Sequence, residues 1–223
     1  MWLLAHVLGV PVPWGAVRQT DGAALLAYEH ARLLALAQAG ERVPPVLAFD
    51  GQRLVTGHIG STLDHWLHSH PASEHLPVMC AAAADLAAFH GRGQWHGGAQ
   101  SRNTTWDGAH FARLDFEERL LPGMPLATVQ IYDVLQLVLS LARYLQPLGP
   151  DAVQAVLTAY ADAAAQQASA TNLRGFLRRL LPRLSRMLRL AAWSSRLDAS
   201  REMERLRTVL GGMAAFVAQG GER

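Results

Sequence analysis

A polar stretch from Gln94 to Asp115, rich in Gly, Ser, Asn and Thr, interrupts a sequence otherwise dominated by helical periodicity. It cannot be absorbed into the helices on either side, because glycine and short polar residues favour turns over helix interiors. Any fold of this chain must therefore carry a long ordered loop between two helical portions. Asp107-Gly108, just before HFARLDF, is a tight-turn signal, so the stretch reads as loop, strand, turn, strand.

The flanks supply the rest of the outline. Leu25, Leu26, Leu33, Leu34 and Leu36 predict a helix over 21–39 that Gly40 closes. VPPVLAFDGQRLVTGHIG then places Asp50-Gly51 between two short apolar runs, the pattern of a hairpin. A short helix is expected from Ser61, as N-cap with Asp64 three places on, to His70. Another is expected from Pro77, suited to a first helical position, through the alanines to His90, with Gly91 and Gly93 ending it. After Pro125 the chain reads as helical over 127–145, 150–170, 173–193 and 200–218. The expected class is α+β, with two lobes and a cleft between them.

Composition narrows the chemistry. All 20 basic residues are arginine, so no mechanism that needs a lysine is open to this chain. Cys80 is the only cysteine, which excludes an internal disulfide framework, fits a reducing cytosol, and reads as a buried helix residue. The apolar opening is short and lacks a basic n-region, which argues against a signal peptide or a spanning helix there. His65, His68, His70 and His75 have no flanking cysteine and read as surface histidines rather than a zinc site.

Charge divides unevenly. Residues 1–172 hold 9 Arg against 14 acids, whereas residues 173–223 hold 11 Arg against 4. Within LRGFLRRLLPRLSRMLRLAAW, over 173–193, apolar positions follow helical spacing and six arginines take the other face without one acid. Such a helix suits an anionic membrane surface or acidic partner, with Trp193 at headgroup level; the alternative is a core helix with a solvated basic face. Pro182 should kink it in either case. No aromatic interleaving accompanies the arginines, so nucleic acid is not expected.

The polar loop carries the chemistry. His96-Gly97-Gly98-Ala99-Gln100-Ser101-Arg102-Asn103 is followed, after a hairpin, by Asp115-Phe116-Glu117. This order resembles the protein-kinase-like superfamily, with its catalytic loop H-x-D-x-x-x-x-N and later metal-binding D-F-G. Leu86 to His90, Glu29 as an αC-type glutamate, Arg53 to Ile59 as the strand entering a hinge, and Asp133 as an αF-type aspartate extend the likeness over residues 16–160. The layout is most similar to bacterial lipopolysaccharide kinases of the Kdo/WaaP type and to RIO-like small kinases.

The resemblance implies an abbreviated two-lobed kinase-like fold, divided as a reduced N-terminal lobe over 1–60, a mostly helical C-terminal lobe over 61–172 and a basic helical extension over 173–223. It implies ATP and Mg²⁺ as cofactors. Asn103 and Asp115 would be the metal ligands, and Arg18, Glu29, Arg102, Asn103 and Asp115 the nucleotide contacts. His96 would hold the loop, and Asp133 would brace it through backbone amides. The acceptor would be a hydroxyl on a sugar, an envelope lipid or a protein.

Three positions depart from the pattern. Gly98 stands where the catalytic aspartate belongs, Arg18 is the only local cation that could replace the missing lysine, and no glycine-rich phosphate loop precedes it. Gln100, Glu117 and Glu118 are the candidates for the catalytic role, Gln100 able to orient a hydroxyl or a water but not to take its proton at neutral pH. The alternatives are a pseudokinase that binds nucleotide without transfer, and a membrane-peripheral scaffold. The expected location is cytoplasmic, with peripheral association at the inner face of the membrane as the further expectation.

Overall fold

The computed structural model describes residues 22–119, 124–167, 171–191 and 200–220. Arg18 and Trp193 lie outside the described residues. The class is α+β, with helices predominating over two small antiparallel sheets.

Helix α1, Gly22–Gln38, buries Leu33 and Leu36. It ends where Gly40 adopts φ 81°, its N–H donating to Ala37 O (3.0 Å) while Glu41 N–H reaches back to Leu36 O (2.9 Å). This paired closure satisfies two orphan carbonyls and requires a residue that accepts positive φ. It also turns Glu41 inward, where Arg92 meets its carboxylate with two hydrogen bonds of 2.6 and 2.7 Å.

Strands β1, Val46–Phe49, and β2, Leu54–Thr56, form the first hairpin. Its turn is fixed by Asp50 Oδ1, which accepts from the amides of Gln52 and Arg53, both at 2.8 Å. Helix α2, Leu63–Ser69, is capped by Thr62, whose hydroxyl accepts from His65 N–H, rather than by Ser61. The reason is tertiary. Ser61 O accepts from Trp106 N–H and Thr62 bridges to Thr105, so the chain stays extended one residue longer.

Helix α3 runs from Ala72 to Gly91, five residues earlier than the Pro77 start expected from the sequence. Proline within a helix removes one donor, here the one that would reach exposed Ser73, whose carbonyl water can serve. Cys80 is half-buried on this helix, and burial pushes its thiol pKa up. His75 is buried, unlike His65, His68 and His70, and its Nε2 lies 2.9 Å from His70 O. Among the described residues no three His, Cys, Asp or Glu side chains gather as metal ligands.

The second hairpin pairs β3, Thr104–Trp106, with β4, Phe111–Arg113. The helical portion follows as α4, Leu126–Ser140; α5, Ala142–Leu145; α6, Pro150–Gln166; α7, Leu173–Ala191; and α8, Arg201–Gln219. The single helix expected over 127–145 is two, bent by 52°. Ser140 is the cause, since its Oγ donates to Leu137 O (2.8 Å) and accepts from Ser101 N–H (2.9 Å). Back-bonding of this kind bends helices.

One hydrophobic core joins all of these parts, from Leu33 of α1 through Phe89 and Tyr160 to Phe216 of α8. The basic helix α7 belongs to it, because Leu173, Leu177 and Leu180 are buried and Arg174 stacks on Phe216 with its guanidinium 3.8 Å from the ring centre. The apolar face is thus taken up by the chain itself, as in the core-helix alternative. No single described helix is long and apolar enough to cross a membrane.

The α6–α8 crossing is close enough to require glycine. A Cβ at Gly212 would fall 2.4 Å from both Pro150 O and Val153 Cβ, whereas one at Gly211 would be 3.4 Å from the Pro150 ring. Gly212→Ala should lose about 1–3 kcal/mol through overpacking. Gly211→Ala should be neutral or stabilising, since alanine is the better helix former by about 1 kcal/mol. Urea unfolding of the two variants tests the crossing, and equal midpoints would refute it.

Candidate functional site

The site is built on helix α4, whose apolar sequence carries a polar stripe at Gln130, Asp133, Gln136 and Ser140. Spacings of three and four residues put these side chains on one face. Each hydrogen-bonds the backbone of the polar loop. Gln130 Nε2 donates to Gln94 O (2.9 Å) and His90 O (3.0 Å), and Gln136 Nε2 donates to Gly97 O (2.6 Å). Asp133 accepts from Gly97 N–H at Oδ1 and from His96 N–H at Oδ2, both at 2.7 Å, and Ser140 holds Ser101 N–H.

Asp133 is fully buried and also meets His90 Nε2 at 3.2 Å. His90 Nδ1 lies 2.8 Å from the Tyr160 hydroxyl. Burial pushes the His90 pKa down, so the ring is neutral, its Nε2–H donating to Asp133 and its Nδ1 accepting from Tyr160. A buried carboxylate with three donors is compensated without a full opposite charge.

His96 is likewise buried. Its Nε2 is 2.8 Å from Leu114 O, and Gly98 N–H donates to its Nδ1 at 3.0 Å. These partners fix the tautomer, with the proton on Nε2. Desolvation lowers its pKa to about 4. His96 therefore clamps the loop onto the strand leading to Asp115 and carries no proton for exchange at neutral pH.

A buried histidine that stays neutral makes stability depend on pH. His96 and His90 both hold folded pKa values below the ordinary 6.5, so the unfolded chain takes up protons first as pH falls. Stability should hold steady above pH 6.5 and drop steeply toward pH 4. Denaturant midpoints across that range, for wild type and His96→Gln, check the assignment; an unchanged slope in the variant would refute it.

Asn103 and Asp115 are brought together across the second hairpin. Asn103 Nδ2 donates to Asp115 Oδ2 (3.1 Å) and to Gly98 O (3.0 Å), so both amide hydrogens are used and Oδ1 accepts nothing from the described residues. Asp115 is exposed and has φ 66°, the left-handed region that Asp tolerates better than most residues. It is the only non-glycine described residue with positive φ. The result is one carboxylate and one amide oxygen from two chain segments.

Two hard oxygens are too few to hold a cation unaided. They fit Mg²⁺, which commonly takes one or two protein carboxylates and completes its octahedron with phosphate oxygens and water.

Glu29 reaches this site from α1. Its Oε1 accepts from Phe116 N–H at 3.3 Å, and burial, then the nearby Asp115 and Glu117, push its pKa up. Among the described residues it makes no ion pair. Arg119, which the sequence reading passed over, ties the same segment to α1 by donating to Ala24 O and lying 5.1 Å over the Tyr28 ring. Arg32 adds a hydrogen bond to Trp95 O at 3.0 Å.

The three candidates for the catalytic role have different surroundings. Gln100 is half-buried with no side-chain hydrogen bond among the described residues, while its carbonyl accepts from Asn103 N–H. Glu117 is exposed, as is Arg102 on its one-turn helix. Glu118 is exposed as well, but the root of its side chain lies against the loop, for a Cβ placed on Gly97 would be 2.6 Å from Glu118 Cβ and 3.3 Å from its Cγ. Partial desolvation, then Glu117 and Asp115, raise the Glu118 pKa.

The adjacent glycines therefore differ in kind. Gly97 is obligatory, with φ 91° and Glu118 and Trp95 pressed on it. At Gly98 a Cβ would meet nothing nearer than Asn103 Nδ2 at 3.4 Å. Against known proteins, no family model matches this chain and no curated protein is similar enough to name as a relative.

Proposed function

We propose that the chain is an atypical kinase-like phosphotransferase, using ATP and Mg²⁺ to phosphorylate a hydroxyl on a sugar, an envelope lipid or a protein. The observation that supports this reading is the Asn103–Asp115 pair, two oxygen-bearing side chains from separate segments joined by a hydrogen bond, on a loop that α4 holds at Gln94, His96, Gly97 and Ser101. Mg²⁺, when bound there, would neutralise phosphate charge. Phosphoryl transfer asks little more of a protein than positioning and charge stabilisation.

Glu118 takes the acceptor proton in this scheme. The acceptor oxygen bonds to the γ-phosphorus as the bond to the β–γ bridging oxygen breaks, ADP leaves, and the hydroxyl proton passes to the carboxylate. Partial desolvation and the neighbouring Glu117 and Asp115 raise the Glu118 pKa, which favours it as the base although its side chain is exposed. Arg102, exposed beside Asn103, is the candidate for a phosphate contact, and Arg18 is the candidate for the role of the absent lysine.

Thermal unfolding with ATP and Mg²⁺ tests the pair. Ligand at about a hundred times its Kd adds about 2.7 kcal/mol, a shift that should need both components and vanish in Asp115→Ala. No shift in the wild type would overturn the proposal. A second reading, a pseudokinase that binds nucleotide without transfer, draws on Gly98 and on Glu29 engaging Phe116 N–H instead of a cation. A shift without ATP turnover would favour it.

A further inference from the structure

We infer that the arginine face of α7 docks the protein on an anionic phospholipid bilayer, held by charge and not by insertion of the helix. Arg178, Arg179, Arg183, Arg186 and Arg189 are all exposed, and the helix contains no acid. At 3.6 residues per turn they cover about two-fifths of its circumference. The acids at the start of α8, Glu202 and Glu204, lie in its first turn, and Arg205 occupies Glu202 at 2.6 Å. Arg174 is turned away, donating to Phe216 O.

The opposite face decides the mode of attachment. An amphipathic helix that lies in the interface buries its apolar side among acyl chains. Here Leu173, Leu177 and Leu180 are already buried in the protein core, with Leu181, Leu184 and Leu188 packed beside them. Insertion would require α7 to leave that core. Adsorption of the guanidinium face requires no rearrangement.

Two features favour phospholipid over nucleic acid. Apart from arginine, the exposed positions of α7 among those described are Pro182 and Ser185, which offer no base-stacking surface and almost no means of reading base edges. Between α7 and α8 runs a groove of about 400 Å³ lined by Leu188, Leu210, Gly211 and Ala214 together with Ser185, Arg189 and Arg207. An apolar lining beside two arginines suits a lipid phosphate with the start of its acyl chains. A polynucleotide offers phosphate to the arginines but no acyl chain to the apolar lining.

Co-sedimentation of the full chain with vesicles tests the inference. Binding is expected to vesicles of phosphatidylcholine mixed with phosphatidylglycerol and not to phosphatidylcholine alone, with full release in high salt as the screening length contracts. Each near-surface cation is worth about fivefold in partition, so Arg178→Gln/Arg179→Gln/Arg186→Gln should weaken binding about a hundredfold. An unchanged thermal melt of that variant would show its fold intact. Retention on vesicles in high salt, equal binding to neutral vesicles, an unaffected triple variant, or tighter binding to single-stranded RNA at the same salt would each overturn it. None of these readouts involves ATP, so failure here leaves the phosphotransfer proposal standing, and the reverse.

Discussion

Glu118→Gln is expected to slow phosphoryl transfer by about 10²- to 10⁴-fold, the usual worth of a general base, while leaving the Mg-ATP thermal shift unchanged. The amide keeps the side chain's volume against Gly97 but cannot accept the proton. The companion variant makes the test sharper. Gly98 has no positive φ, and a Cβ there meets only ordinary contacts, at 3.4 Å to Asn103 Nδ2 and 3.6 Å to His96 Nδ1. Gly98→Asp should therefore fold and put a carboxylate back at the position that the family resemblance assigns to it.

Introduced into Glu118→Gln, Gly98→Asp should recover much of the lost rate. Alone, it should add little. Turnover with a hydroxyl acceptor, or slow ATP hydrolysis with water in its place, reads both effects. If Glu118→Gln turns over ATP like the wild type, Glu118 is not the base. If no variant turns over while all bind Mg-ATP, the pseudokinase reading prevails.

Asp133→Ala should produce the largest loss of stability. The substitution leaves the buried His96 amide and His90 Nε2–H and the half-buried Gly97 amide without their acceptor. Orphaned buried donors cost about 1–3 kcal/mol each, and opening a buried charged network costs about 3–5 kcal/mol in all. That is a large part of a typical domain's stability and corresponds to a melting point lower by roughly 10 °C. Asp133→Asn can serve one amide but presents a donor to the other, so it should fall between. A melt for Asp133→Ala within a degree or two of wild type would mean that the loop does not depend on this carboxylate.

The sequence made the chemistry of this loop more visible than its support. Asn103 and Asp115 could be singled out because their order and spacing match a known pattern, and the hairpin between them follows from Asp107-Gly108, whose Asp107 Oδ1 accepts from Ala109 and His110. Asp133 was legible for the same reason. Gln130, Gln136 and Ser140 were not picked out, although a polar stripe in the apolar run LATVQIYDVLQLVLS was there to be read.

Where the expectations for helix limits moved, tertiary contacts moved them. Thr62 displaced Ser61 as a cap because Ser61 is pulled onto β3, and α4 ends at Ser140 because that hydroxyl serves the loop. Neither partner is near in sequence. Pro77 misled for a local reason, since an exposed preceding turn can spare one hydrogen bond. The arginines of α7 were plain from composition, but that α8 had already claimed their helix's apolar side was not.

The stripe on α4 also bears on how a ligand would meet this protein. Because a rigid helix dictates the path of residues 94–103, the loop owes its shape to the core and not to whatever arrives at Asn103 and Asp115. A newcomer finds the seat already formed and spends little of its affinity on ordering the chain. Association should then proceed in a single kinetic phase, its rate proportional to ligand concentration, without the slow isomerisation that a folding loop would add.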